Sequence, residues 1–89
     1  MIKLGGNIVL DGCDGLEPAT LIVLKKMVGN YARKISEKAT FEELRIILSN
    51  NDNMYKLEAL LKTKEGETSK AGEDNNLFFA LNNALRGFL

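Results

Sequence analysis

The residues best suited to chemistry in this sequence are basic ones, and they cluster. The run KKMVGNYARK, Lys25 to Lys34, contains four basic residues and no carboxylate. The whole chain has twelve basic and twelve acidic residues, and therefore no net charge at neutral pH. Closely spaced lysines and arginines bind phosphate groups and release counterions, which makes such binding sensitive to salt. The run is therefore a candidate contact surface for a polyanion.

The spacing of apolar residues predicts that this run belongs to an amphipathic helix. Apolar side chains recur at three- and four-residue steps, at Leu21, Leu24, Val28, Tyr31 and Ile35. At 100° per residue, Lys26, Arg33 and Lys34 fall on the side opposite this stripe, together with Asn30 and Glu37. Two interpretations are open: the basic row contacts phosphates, or it is the solvated side of an ordinary helix.

The remaining polar residues form no recognisable catalytic or metal-binding pattern. The chain has no histidine, which excludes a histidine base, a Ser-His-Asp triad and a mixed Cys/His zinc site. Cys13 is the single cysteine and cannot form an internal disulfide. The stretch Gly5–Asn7 is not a phosphate loop, because no lysine and hydroxyl residue follow it before a helix. We therefore expect no enzymatic activity, no cofactor and no metal.

Length and composition predict one folded domain, residues 1–89. Eighty-nine residues suffice for one hydrophobic core and are too few for two. An apolar fraction of 45% with a single proline is typical of a folded chain rather than a disordered one. No run has the length of a membrane span, and the N-terminus lacks the apolar core of a signal peptide. A cytoplasmic location is expected.

The predicted elements follow the order β-α-β-β-β-α. The first strand covers Ile2–Leu10, with a bulge or bend at Gly5-Gly6, and the first helix runs from Glu17-Pro18 to about Lys38. Three strands follow, over Leu44–Leu48, Tyr55–Lys62 and Thr68–Gly72, the last of them at a sheet edge. A final helix, capped by Asp74 or Asn75, buries Leu77, Phe78, Leu81, Leu85 and Phe88.

This order predicts an α+β two-layer sandwich. A four-stranded, mostly antiparallel sheet would carry both helices on one face, because their apolar stripes must be buried together. Alternation along the strands then places a mixed set of side chains on the outer face of the sheet. This set contains Arg45, Ile47, Lys56, Leu60 and Lys62. Its small apolar centre, Ile47 and Leu60, favours a protein interface, with a homodimer as one form of it.

The chain resembles the ribosome hibernation-promoting factors, also called ribosome-associated translation inhibitors. The similarity lies in the element order and in two stretches, GNIVLDGCDGLEPATLIVLKKMVGNYARKI and YKLEALLKTKEGETSKAGEDNNLFFALNNAL. The resemblance implies a small β-α-β-β-β-α domain that binds the small ribosomal subunit and takes part in translation regulation. It also implies that basic residues of the first helix hold ribosomal RNA. The matching positions are Lys25, Lys26, Arg33, Lys34 and Lys38.

Two functions therefore remain open. The first is a non-enzymatic RNA-binding module of the hibernation-factor type, in which Lys26, Arg33 and Lys34 contact phosphates. The second is a protein-interaction module that binds no nucleic acid and pairs through the outer sheet face. Salt-sensitive RNA binding would distinguish them, because only the first depends on counterion release.

Overall fold

A computed structural model describes residues 2–4 and 7–89 of the chain. Its strands are β1 (Ile2–Leu4), β2 (Ile8–Asp11), β3 (Glu43–Asn51), β4 (Met54–Thr63) and β5 (Gly66–Asp74). Its helices are α1 (Pro18–Lys38) and α2 (Leu77–Leu85), and α2 is followed by a short 3-10 turn, Arg86–Phe88. The α+β class with two helices is confirmed.

The sheet has five strands rather than the four predicted. The single strand expected over residues 2–10 is a hairpin, in which Leu4 pairs with Ile8 and Ile2 pairs with Leu10. Directly opposed residues of an antiparallel pair share a face. A hairpin therefore keeps the same even-numbered residues on one face as a continuous strand does, and alternation alone could not separate the two. The predicted bend at Gly5-Gly6 lies outside the described residues.

The strands lie in the order β1-β2-β3-β4-β5, and the sheet is mixed. β2 and β3 are parallel neighbours connected through α1, as a crossover connection requires. β3, β4 and β5 form an antiparallel meander, which follows from their short connections. β5 occupies one edge of the sheet, as predicted for residues 68–72, although the strand is longer at both ends.

The core lies between one face of the sheet and the two helices. Sheet residues such as Leu10, Ile46 and Leu57 are fully buried against the helix stripes. α2 approaches β5 closely at Gly72, where a Cβ atom would lie 2.3 Å from the Ala80 carbonyl oxygen. A residue without a side chain is therefore needed for this contact.

α1 is the longest helix, with 21 residues, and its ends agree with the predicted ones. Pro18 occupies the first turn, where its missing N–H costs no hydrogen bond. The helix ends at Lys38, and Ala39 continues in an extended conformation. Neither α1 nor any other helix in the described residues has the length and apolar character needed to cross a membrane.

Candidate nucleic-acid interface

The buried side of α1 determines which of its basic residues face solvent. Leu24, Val28, Ala32 and Ile35 are buried in the core. On the helical wheel the opposite side is the basic one, and the structure leaves it open. Of the five predicted RNA-binding residues, Lys25 is half-buried, and four are exposed: Lys26, Arg33, Lys34 and Lys38.

The charge of α1 is not compensated locally. Its range holds five basic residues and one carboxylate, Glu37, which gives a net charge of +4. The rest of the chain, with seven basic and eleven acidic residues, has a net charge of −4. None of the basic side chains of α1 forms an ion pair with a carboxylate of the described residues. Lys26 and Arg33 lie two turns apart, about 10 Å along the helix axis.

Tyr31 connects the basic side of α1 to the second helix. Its hydroxyl donates a hydrogen bond to Oδ1 of Asn82 on α2. The Lys34 ammonium lies 5.8 Å from the centroid of the Tyr31 ring, within cation–π range. Tyr31 is half-buried and packs against the core, so it orients the helix pair rather than offering a free ring for stacking.

Two exposed apolar residues of α1 were missed by the sequence reasoning. Ile22 is 55% exposed and Val23 is 45% exposed, both on the turn before Lys26. The helical wheel contained the signal, because both residues fall outside the stripe of Leu24 and Val28. On α2, Phe79 is 62% exposed. The exposed apolar side chains therefore lie mainly on the helical layer.

The outer face of the sheet contains the residues predicted for a protein interface. Cross-strand register places them there together: Arg45 opposite Leu60, Ile47 opposite Glu58, Lys56 opposite Ser49 and Lys62 opposite Glu43. Arg45 lies between two carboxylates, with its Nη1 3.7 Å from Asp11 Oδ2 and its Nε 3.7 Å from Glu43 Oε2. The cations of this face therefore have carboxylates as neighbours, unlike those of α1.

The apolar centre of the outer face is small. Val9 lies opposite Arg45 and is only 5% exposed, while Ile47 and Leu60 are half-buried. Charged side chains surround these three residues, and their aliphatic stems can cover apolar surface. Less apolar area is therefore free on this face than alternation of the sequence suggested.

Cys13 lies in the connection from β2 to α1, and its side chain is fully buried. Burial, together with the nearby carboxylates of Asp14 and Asp11, raises the pKa of its thiol to about 11. The thiol is therefore protonated at neutral pH, which makes it a poor nucleophile. No group of three potential metal-ligating side chains occurs within residues 2–4 and 7–89.

In comparisons with known proteins, the chain matches no family model and no curated protein. The geometry of the chain itself must therefore support any functional assignment.

Proposed function

We propose that this chain is a non-enzymatic RNA-binding module whose first helix contacts RNA phosphates. Its target would be structured ribosomal RNA of the small subunit, by analogy with the hibernation factors that the sequence resembles. The observation that carries the proposal is a row of exposed cations on α1 that have no ion-pair partner in the described part of the chain: Lys26, Arg33, Lys34 and Lys38.

Electrostatics supports this proposal despite the neutral chain. Long-range attraction of a polyanion depends on the local field, and a helix of net charge +4 provides one. Exposed cations without carboxylate partners need not break an ion pair before they bind phosphate. Their engagement would release counterions from the RNA, so that affinity depends strongly on salt.

The test is fluorescence anisotropy with a labelled fragment of small-subunit ribosomal RNA at low and moderate salt. The variant K26Q/R33Q/K34Q removes three charges from exposed positions of α1. We expect affinity to fall at least about thirtyfold at low salt, and the slope of log K against log salt to decrease by about two to three.

A matched control comes from the outer sheet face. The variant K56Q/K62Q removes cations from exposed strand positions that face carboxylates across the sheet. We expect it to change affinity by less than about threefold. Binding that ignores salt, or that survives the triple change on α1, would contradict the proposal.

The second candidate function is a protein-interaction module, and the outer sheet face favours it. Ile47 and Leu60 form its apolar centre, and the surrounding mixture of opposite charges is suited to pairing with a second copy. Sedimentation at high protein concentration tests this candidate. It predicts a dimer that Leu60→Glu separates, whereas a monomer at every concentration would refute it.

A dimer that persists in Leu60→Glu but dissociates in Phe79→Glu would assign the contact to the helices instead. Phe79 is exposed on α2, so this change adds no buried charge to the core.

A further inference from the structure

An open cleft of about 700 Å³ lies at one end of the molecule, where β3, β4 and both helices meet. The loop after β2 closes one side through Gly12, whose backbone is so near Leu48 that a Cβ atom would lie 2.4 Å from the Leu48 carbonyl oxygen. Gly12 also has a positive φ of 78°. The shape of the cleft therefore depends on a glycine that holds this loop against the end of β3.

The lining of the cleft is mixed, with more polar than apolar surface. Leu48, Tyr55 and Phe78 line the floor, and all three are half-buried side chains that pack against the core. The amides of Asn50 and Asn75 lie at the rim. This combination of a core-supported aromatic floor and a few polar groups is typical of sites for small ligands.

The polar groups of this cleft have free hydrogen-bonding capacity. Within residues 2–4 and 7–89, the side chains of Asn50, Tyr55 and Asn75 have no hydrogen-bond partner. The side chain of Asn76, in contrast, accepts bonds from the backbone N–H groups of Phe78 and Phe79 and thereby caps α2. Two asparagine amides and one tyrosine hydroxyl therefore remain as donors and acceptors for a ligand.

A second depression, of about 490 Å³, shares Asn50, Tyr55 and Asn75 with the cleft. Tyr55 lines both spaces, and Asp52 and Asn53 also line the second one. Its ring is half-buried and borders open space, and the rim amides line the same concave surface. The site is therefore suited to a flat ligand with donors and acceptors on its edge.

The charges around the cleft exclude a phosphate from its interior. Glu17 lines the cleft and Asp52 lines the neighbouring depression, while no lysine or arginine of residues 2–4 and 7–89 lines either one. Negative side chains repel phosphate, whereas uncharged amides hydrogen-bond equally well to neutral donors and acceptors. The interior of the cleft is therefore unsuited to a phosphate or another anion.

We propose that this cleft binds one unstacked nucleobase of single-stranded RNA, an inference that rests on the proposed function. Proteins that read RNA sequence stack exposed bases on aromatic side chains and hydrogen-bond to the base edges. Tyr55 and Phe78 provide the aromatic surfaces, and Asn50 and Asn75 provide the edge contacts. Lys26 lies outside the cleft, six residues beyond Thr20 at the rim, about 9 Å along the axis of α1 and about 120° around it.

The experiment uses free nucleosides, which carry a base and no phosphate. Adenosine, guanosine, cytidine and uridine are added at millimolar concentration to ¹⁵N-labelled protein, with ribose as the control for sugar binding. We expect at least one nucleoside to shift the backbone amides of Gly12, Asn50 and Asn75 in the NMR spectrum, and ribose to shift none of them. Absence of such shifts for all four nucleosides would overturn the inference.

Neighbouring asparagines supply a matched pair of variants. Asn50 and Asn51 are adjacent exposed residues of β3, but Asn50 lines the cleft and Asn51 points to the outer face. We expect Asn50→Ala to weaken nucleoside binding about tenfold and Asn51→Ala to leave it within about twofold. Equal effects of the two changes, or equal shifts with ribose, would also overturn base recognition.

This test separates the inference from the proposed function. Nucleoside binding does not involve the cations of α1, so it should survive in K26Q/R33Q/K34Q. If nucleosides shift the amides but the protein does not bind RNA, base binding in the cleft is supported and phosphate binding by α1 is refuted. If RNA binding depends on the cations of α1 but no nucleoside shifts the amides, phosphate binding by α1 is supported and base binding in the cleft is refuted.

Discussion

The exposed side of α1 and the outer face of the sheet contain the same kinds of cation in different surroundings. α1 has five basic residues and one carboxylate. Cross-strand register places four basic residues on the outer sheet face: Lys3, Arg45, Lys56 and Lys62. The same register places five carboxylates among them: Asp11, Glu43, Glu58, Glu67 and Glu73. One surface is strongly positive, while the other is almost neutral.

The difference follows from how the two elements bring side chains together. In the sheet, register brings residues from distant parts of the chain face to face, so that Lys62 lies between Glu43 and Glu67. In a helix, the neighbours of a residue are three and four positions away in sequence. Lys26 therefore has Gly29 and Asn30 as its following neighbours, and neither can neutralise it. Net charge alone would not reveal this contrast.

The largest effect is expected from a variant that destabilises the whole fold, on which both surfaces depend. Gly72→Ala places a methyl group 2.3 Å from the Ala80 carbonyl oxygen and 2.7 Å from the Ala84 nitrogen, so α2 must shift. We expect the free energy of unfolding in urea to fall by more than about 2 kcal/mol.

Gly29→Ala is the control for that change, because no atom of the described residues outside the neighbouring helix backbone lies within 4 Å of the added methyl group on α1. We expect it to stabilise the protein by about 0.5–1 kcal/mol and to leave RNA affinity unchanged. A destabilising Gly29→Ala would show that the added methyl group collides with another part of the protein, and therefore that this side of α1 is not open to solvent.

Alkaline pH should lower the stability of the folded chain through the buried Cys13 thiol. The Cys13 thiol has a pKa of about 11 in the folded chain against 9.0 as its ordinary value, because burial disfavours the thiolate. The unfolded chain therefore loses this proton first, and stability decreases as pH rises from about 9 through about 11, by about 1.4 kcal/mol for each pH unit. Urea unfolding measured across this range should decline less steeply in Cys13→Ala. Parallel curves for the two proteins would contradict the prediction.

A smaller effect is expected from a variant that gives the cations of α1 a neighbouring carboxylate, such as the cations of the outer sheet face have. Asn30→Glu places a carboxylate four residues after Lys26 and three and four residues before Arg33 and Lys34. Because these cations then have a partner, we expect RNA affinity to fall about tenfold while the helix becomes slightly more stable. Asn51→Glu makes the same chemical change on the outer face. If both variants lose affinity equally, total charge rather than its position controls binding.

The smallest effect is expected on the free energy of unfolding, when one arginine is removed from either surface. Arg45→Met leaves Asp11 and Glu43 without their shared cation, and we expect a loss of about 0.5–1 kcal/mol in urea unfolding. Arg33→Met removes an exposed cation of α1 that has no ion-pair partner among the described residues. Its effect should stay within about 0.5 kcal/mol. Equal losses in the two variants would mean that Arg33 is compensated too.

The sequence by itself determined the helices, the meander and the sides on which their residues lie. The apolar spacing of Leu24, Val28 and Ile35 predicts the buried side of α1, and therefore also its basic side. Alternation in β3 and β4 predicts that Ile47 and Leu60 share the outer face. These features depend on neighbours at fixed short separations along the chain, which the periodicity of helices and strands converts directly into geometry.

Only the tertiary structure decided the features that join distant residues. The hairpin β1-β2 has the same alternation as one strand, so periodicity could not reveal the fifth strand. Of the two carboxylates beside Arg45, Glu43 lies two residues away on the same strand, whereas the proximity of Asp11 depends on the register of β2 with β3. Gly12, Asn50 and Phe78 line the same cleft, although they lie far apart in the sequence and no short-range pattern connects them. Contacts between residues far apart in sequence exist only once the chain has closed on its core.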